Sequence, residues 1–121
     1  MMKKIHLLIV GSLLAPLSVL AADGVHGGHH SANPTDSQQS YMQGMDQMHA
    51  RMQEGMQSGD PDVAFAKGMI AHHQGAIDMA KTELKYGKDP ELRKLAEDII
   101  KAQQPEIDQM QAWLAKHGEK R

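Results

Sequence analysis

The chain has 121 residues, enough for one domain, and it contains no cysteine, which excludes disulfide bonds, a lipid-modified cysteine and a cysteine nucleophile. Fifteen acidic side chains against 13 basic ones give a formal net charge of −2, which argues against nucleic acid because such partners select basic surfaces. The chain contains ten methionines and eight histidines but only four aromatic residues (Phe, Trp and Tyr). Its composition is therefore rich in thioether sulfur and imidazole groups.

Residues 1–21 have the pattern of a secretory signal peptide. Lys3 and Lys4 precede an apolar run over 5–20, and small residues follow it. Cleavage near Ala21 would lower the basic count from 13 to 11 against 15 acidic residues, for a net charge of −4. We therefore expect a periplasmic or extracellular protein that makes no membrane contact after cleavage.

Residues 22–36 are rich in Gly, Ser, Asn and Pro and show no apolar periodicity, which predicts a flexible arm. His26, His29 and His30 lie in it. A flexible backbone can bring two or three imidazoles to one ion, but the same pattern also fits a linker with incidental histidines. Both interpretations stay open.

Residues 37–58 predict a first helix whose inner side is almost entirely methionine. At about 100° per residue, six side chains fall within an arc of about 120°. These are Met42, Met45, Met48, His49, Met52 and Met56. Thioether sulfur selects Cu(I) or Ag(I), whereas flexible methionine also fills irregular core space, so the stripe fits a metal site, a core face or both.

A second helix is predicted from Asp60, as N-cap, and Pro61 to about Tyr86, where Gly87 can take a left-handed C-cap. Its expected inner face consists of Phe65, Met69, Ile70, His73, Ala76, Ile77, Ala80 and Leu84. Asp78 points the opposite way on the helical wheel and is assigned to solvent.

Met69, His72, Ala76 and Met79 fall on one strip of that second helix, and His73 lies about 100° away from His72. A histidine on an apolar face is more often a hydrogen-bonded core residue than a ligand. Two adjacent histidines beside two methionines nevertheless make a candidate copper site of Met69, His72, His73 and Met79.

A third helix is predicted from Asp89, as N-cap, and Pro90, and Gly118 can end it. Pro105 falls in its middle and predicts a kink, or a break into two helices near Gln103 and Gln104. The expected inner side chains are Leu92, Leu95, Ala96, Ile99, Ile100, Ile107, Met110 and Leu114. Gln103, Met110 and His117 form a second polar and sulfur edge, which adds Met110 to the candidate ligands.

The stretch over 68–80, GMIAHHQGAIDMA, resembles the signature of the CopM-like family of exported helical proteins. Weaker matches follow to the C-terminus, at Ile99, Ile100, Gln104, Glu106, Ile107, Met110, Trp113 and Leu114. The resemblance implies a ferritin-like helical fold, and copper binding and copper tolerance, which are properties of several members.

The predicted architecture is all-α, an antiparallel three- to four-helix bundle over residues 37–121, with the third helix kinked at Pro105. The chain contains no Glu-x-x-His pair, no His-Glu-x-x-His motif and no phosphate-binding glycine loop, so we expect no enzyme. A homodimer is plausible because the aliphatic core is small.

The expected function is copper binding outside the cytoplasm, with Cu(I) preferred, Cu(II) possible and Ag(I) bound by its softness. Metal ions are the expected partners. Two alternatives remain. One is a metal-free helical interaction module, because methionine-rich faces adapt to partner helices. The other is a copper oxidoreductase, which would need an open coordination position and a substrate pocket.

Overall fold

The computed structural model describes residues 33–118, which form three α-helices. Helix α1 spans Asp36–Gly55, α2 spans Pro61–Tyr86 and α3 spans Pro90–His117. The all-α prediction is confirmed. The signal peptide and the arm that carries His26, His29 and His30 lie outside the described residues. Within 33–118, none of the helices combines the length and apolar character that crossing a membrane requires.

The three helix starts follow from capping residues. Asp60 Oδ1 accepts from the backbone N–H groups of Asp62 and Val63, and Asp89 Oδ1 accepts from that of Leu92, so both predicted N-caps are confirmed. Helix α1 begins earlier than predicted because Thr35 and Gln38 form a capping box. It also ends earlier, at Gly55.

The prediction of a left-handed cap at Gly87 is wrong. Gly87 has an extended backbone, with φ −72° and ψ 152°. Arg93 explains the difference, because its Nη1 donates to the carbonyls of Leu84 at 2.8 Å and Gly87 at 3.0 Å. The guanidinium of Arg93 on α3 thus donates to carbonyl groups at the end of α2. In a left-handed cap, backbone N–H groups would donate to the last carbonyls instead.

The predicted break at Pro105 is also wrong, because α3 continues through this residue as a single helix. Pro105 is exposed, whereas Ile107 beside it is buried at 2% exposure. Packing of the following turn therefore holds the helix together across the missing backbone donor. A bend at this point stays a prediction.

Helix α2 is the central element, and α1 and α3 pack on different sides of it. Ser40 and Thr82 hydrogen-bond through their hydroxyls at 2.8 Å near one end of α1, and Met56 lies against Gly68 near the other. Helix α1 is therefore antiparallel to α2. In the described part of the chain, the backbones of α1 and α3 do not approach each other closely.

This arrangement makes the core small. Its buried apolar side chains are Val63, Ala66, Ala71, Ile77, Ala80, Ala96 and Ile107. Most of them are alanine, so each contributes little apolar area.

Several predicted inner residues are instead exposed. Phe65 is 65% exposed, and Leu92 and Leu95 are each 52% exposed. Asp78 was predicted to face solvent and is half-buried, accepting from Gln74 and lying beside Gly44 of α1. The physical reason is that α2 is packed on two sides, whereas the prediction assumed one inner face.

Candidate functional site

A methionine-lined groove lies where α1 turns into α2. It has a volume of about 430 Å³ and is lined by Met52, Met56, Pro61, Ala64, Phe65, Gly68 and Met69. Among residues 33–118, those that line it are all uncharged. We refer to it as the methionine groove.

The sequence builds this groove through helical spacing and one glycine. Met52 lies in the last turn of α1 and Met56 is its C-cap residue, and the antiparallel return of the chain places both beside the first turns of α2. Gly68 has no side chain, and the position that a Cβ would occupy is 3.3 Å from Met56 Cγ and 3.9 Å from Met56 Sδ. The missing side chain lets Met56 lie directly against α2.

The donor chemistry of the groove is soft and uncharged. Met56 is 54% exposed, while Met52 and Met69 are half-buried, so the sulfur-bearing side chains stand between an apolar wall and solvent. Thioethers favour Cu(I) and Ag(I) over hard cations. Among residues 33–118, no three His, Asp or Glu side chains form a group that could hold a metal ion.

The other four residues of the predicted methionine stripe lie outside the methionine groove, and they differ in burial. Met48 packs over Gly75, where an added Cβ would lie 2.4 Å from its sulfur. Met42 and Met45 are 60% and 43% exposed, and His49 is exposed as well. The structure therefore brings two of the six stripe residues, Met52 and Met56, into the methionine groove.

The adjacent histidines face different surroundings. His73 is 7% exposed, and its Nε2 is hydrogen-bonded to Glu106 Oε2 of α3. His72 is exposed, and the two rings lie in a T-shaped arrangement with centroids 6.2 Å apart. His73 is thus a hydrogen-bonded core residue, which is one of the two interpretations that its position allowed.

Polar atoms around His73 are incompletely paired. His73 Nδ1 and Gln103 Oε1 are both buried and have no hydrogen-bond partner among the described residues. Gln103 precedes Glu106 by about one turn of α3, so it lies on the same part of that helix. Glu106 was not identified from the sequence as the partner of His73, because no local pattern links residues that are 33 positions apart.

The other candidate ligands lie in two further grooves. Met79, 50% exposed, lies in a groove of about 260 Å³ between α2 and α3, together with Ala76 and Leu95. Met110 lies in one of about 420 Å³ with Phe65 and Trp113. Met69 and Met79 thus line different grooves, and a shared site of Met69, His72, His73 and Met79 stays a prediction.

Two comparisons with known proteins bear on this chain. A family model described as a domain of unknown function (DUF305) matches residues 15–119. An uncharacterized protein of Acanthamoeba polyphaga mimivirus is 45% identical over 53 residues, which are 44% of this chain and 35% of the viral protein. The chain thus matches about a third of the length of that relative.

Proposed function

This chain belongs to the DUF305 family, and we propose that it is an exported protein that binds Cu(I) and sequesters or carries it outside the cytoplasm. Ag(I) is expected to bind in the same way because it is equally soft. The ion is cargo in this proposal and undergoes no reaction, so the protein is not an enzyme. The resemblance of residues 68–80 to the CopM-like signature supports the same function.

The methionine groove is the observation that carries the proposal. It gathers Met52 of α1, Met56 of the connecting turn over 56–60 and Met69 of α2. An ordinary core would bury such side chains, but Met56 remains more than half exposed. Three neutral sulfur atoms beside apolar residues offer a reduced copper ion a low-polarity environment with no competing carboxylate.

Imidazole groups have a secondary role in this proposal. His72 and His49 are exposed, so each can bind an ion that approaches from solvent. His73 is already hydrogen-bonded through Nε2, and that contact holds α2 to α3. We therefore assign the primary site to thioethers and treat the exposed histidines, together with His26, His29 and His30, as weaker donors that can also accept Cu(II).

The proposal is tested by replacing Met52, Met56 and Met69 together with leucine. Leucine nearly conserves volume and helix propensity while it removes the sulfur donors. The matched control replaces the exposed Met42, Met45 and Met79, which lie outside the methionine groove. Cu(I) affinity is measured by competition against a chromophoric chelator, with Ag(I) and Zn(II) titrated in parallel.

We expect the groove variant to bind Cu(I) at least about tenfold more weakly, equivalent to about 1.4 kcal/mol, and the control to change little. Both variants should keep the helical circular dichroism of the parent. Equal losses in the two variants, or no loss in the groove variant, would contradict the assignment of the site.

The alternative of a metal-free interaction module is favoured by one observation, the number of large apolar side chains that remain exposed. Cu(I) binding by the parent protein that is no tighter than that of a histidine-tagged peptide would favour that alternative.

A further inference from the structure

Helix α2 has four distinct sides, and one of them is apolar but uncovered. It contacts α1 through the side that carries Gly68 and Gly75, and α3 through the side that carries His73. A third side is polar, with Lys67, Gln74, Lys81 and Lys85 within about 40° of one another on the helical wheel. The fourth side carries Phe65, Met69, His72, Ala76, Met79 and Glu83 within about 80°.

The flanking helices extend this apolar side. On α1, Met45 and Met56 point the same way as Met52, and they are 43% and 54% exposed. On α3, Leu92 and Leu95 line the groove that also contains Met79, and each is 52% exposed. We call this surface the open face, defined by Met45, Met56, Phe65, Met79, Leu92 and Leu95.

The open face is large enough for a stable protein interface. With a rise of about 1.5 Å per residue and helices about 8–10 Å apart, three helices of 20, 26 and 28 residues present roughly 1,000 Å² on one side. A standard interface takes about 800 Å² from each partner, so this side of the three helices has the area that such an interface needs.

We propose that the open face is the interface of a homodimer, in which a second copy of this chain packs its own open face against the first. The small core supports this, since its buried apolar residues are mostly alanine and no disulfide compensates. The groove has a self-complementary form, because Met79, Leu92 and Leu95 project next to Ala76, Ala80 and Ala96. A twofold axis lets the large side chains of each copy occupy the hollows of the other.

The composition of the preceding residues argues against an intramolecular cover. Residues 22–32 read ADGVHGGHHSA, and Val25 is their single branched apolar side chain. Such a segment has too little apolar area to replace a partner on the open face. Of the described residues that line the groove around Met79, Glu83 alone is charged, so a second apolar face meets little opposing charge there.

The test is the mass of the purified protein in solution, measured by sedimentation equilibrium over a range of concentrations in the presence of a metal chelator. We expect twice the chain mass. Leu95→Glu should weaken the dimer at least about 100-fold, because it buries an unpaired carboxylate in the interface. Ala112→Glu adds the same charge at an exposed position on the outer side of α3 and should leave the dimer intact.

A monomeric parent protein would overturn the proposal, including the case in which residues 1–32 cover the open face. A dimer that Leu95→Glu does not weaken would overturn it as well, since another surface would then hold the two copies together. Because the chelator removes copper, neither result depends on the proposed metal binding.

A second measurement covers the case in which Leu95→Glu unfolds the chain. The protein has no cysteine, so a single Met79→Cys or Leu95→Cys substitution gives a unique crosslinking site. We expect a short bis-maleimide to link two chains through these positions and not through Ala112→Cys. Equal crosslinking at all three positions, or none at any, would contradict the proposed interface.

Discussion

His73 lies at the contact between α2 and α3, and within residues 33–118 its buried ring makes one hydrogen bond, to Glu106. The Glu106 side chain is 62% exposed, so the pair lies at the edge of the interface with the imidazole inside and the carboxylate partly in solvent. Burial of a ring nitrogen without a hydrogen bond costs about 1–3 kcal/mol of folding free energy. The hydrogen bond to Glu106 spares the Nε2 atom this cost.

We predict that Glu106→Ala lowers the free energy of unfolding by about 1–3 kcal/mol, because it leaves both nitrogens of His73 without a partner. Glu106→Gln retains a hydrogen-bonding side chain and should cost less. The measurement is denaturant unfolding followed by circular dichroism. Glu97→Ala, an exposed carboxylate of the same helix, is the control and should change stability by no more than about 0.5 kcal/mol. A loss equal to that of the control would show that the hydrogen bond does not stabilise the interface.

The sequence predicted the inward position of His73 but not its hydrogen-bond partner, Glu106. Helical periodicity placed His73 on an inner face because that argument needs only local spacing. Glu106 is 33 residues away, and its position across from His73 depends on how α3 packs on α2. The same limit applies to the methionine groove, where Met52 and Met56 were identified within α1 but not their association with Met69.

At the scale of elements, α1 is held to α2 by close approach at glycine. A Cβ added at Gly55 would lie 2.8 Å from Lys67 Cβ, 3.0 Å from the Lys67 carbonyl carbon and 3.1 Å from the Gly68 nitrogen. Two of these three neighbours are backbone atoms of the facing helix, which cannot move aside alone. Gly55 therefore sets the distance between the helices at the end that carries the methionine groove.

We predict that Gly55→Ala destabilises the protein by about 1–3 kcal/mol, because the two helices must separate to admit one methyl group. Gly59→Ala is the matched control, since nothing lies within 4 Å of the Cβ position at Gly59. Thermal unfolding of both variants against the parent gives the comparison. If Gly55→Ala were as stable as Gly59→Ala, the close approach of α1 and α2 would not exist in solution.

Helix boundaries were predicted well where a side chain caps the helix, as at Asp60 and Asp89. The end of α2 at Tyr86 was also predicted, but the backbone conformation of Gly87 was not, because it depends on Arg93 of α3, which donates to the Gly87 carbonyl. Exposed side chains such as Phe65 and Leu95 were assigned to the core because a helical wheel cannot show which of two apolar sides a neighbour covers.

At the scale of the whole molecule, the packing of α1 and α3 on α2 leaves one apolar side of the three helices uncovered. Helix α2 provides one contact side to each neighbour and leaves the open face for a further partner. The methionine groove lies at one end of this face, where α1 turns into α2. The all-α class and the number of helices followed from the sequence, while the open face required the structure because it depends on where α1 and α3 are placed.

The central claim is that thioethers of the methionine groove form the Cu(I) site. X-ray absorption at the copper edge, recorded on the protein loaded with one equivalent of Cu(I), reports directly on the atoms that bind the ion. We predict a first shell dominated by sulfur, which the Met52, Met56 and Met69 to leucine variant loses. A first shell of nitrogen alone would contradict the claim and would assign copper to the histidines.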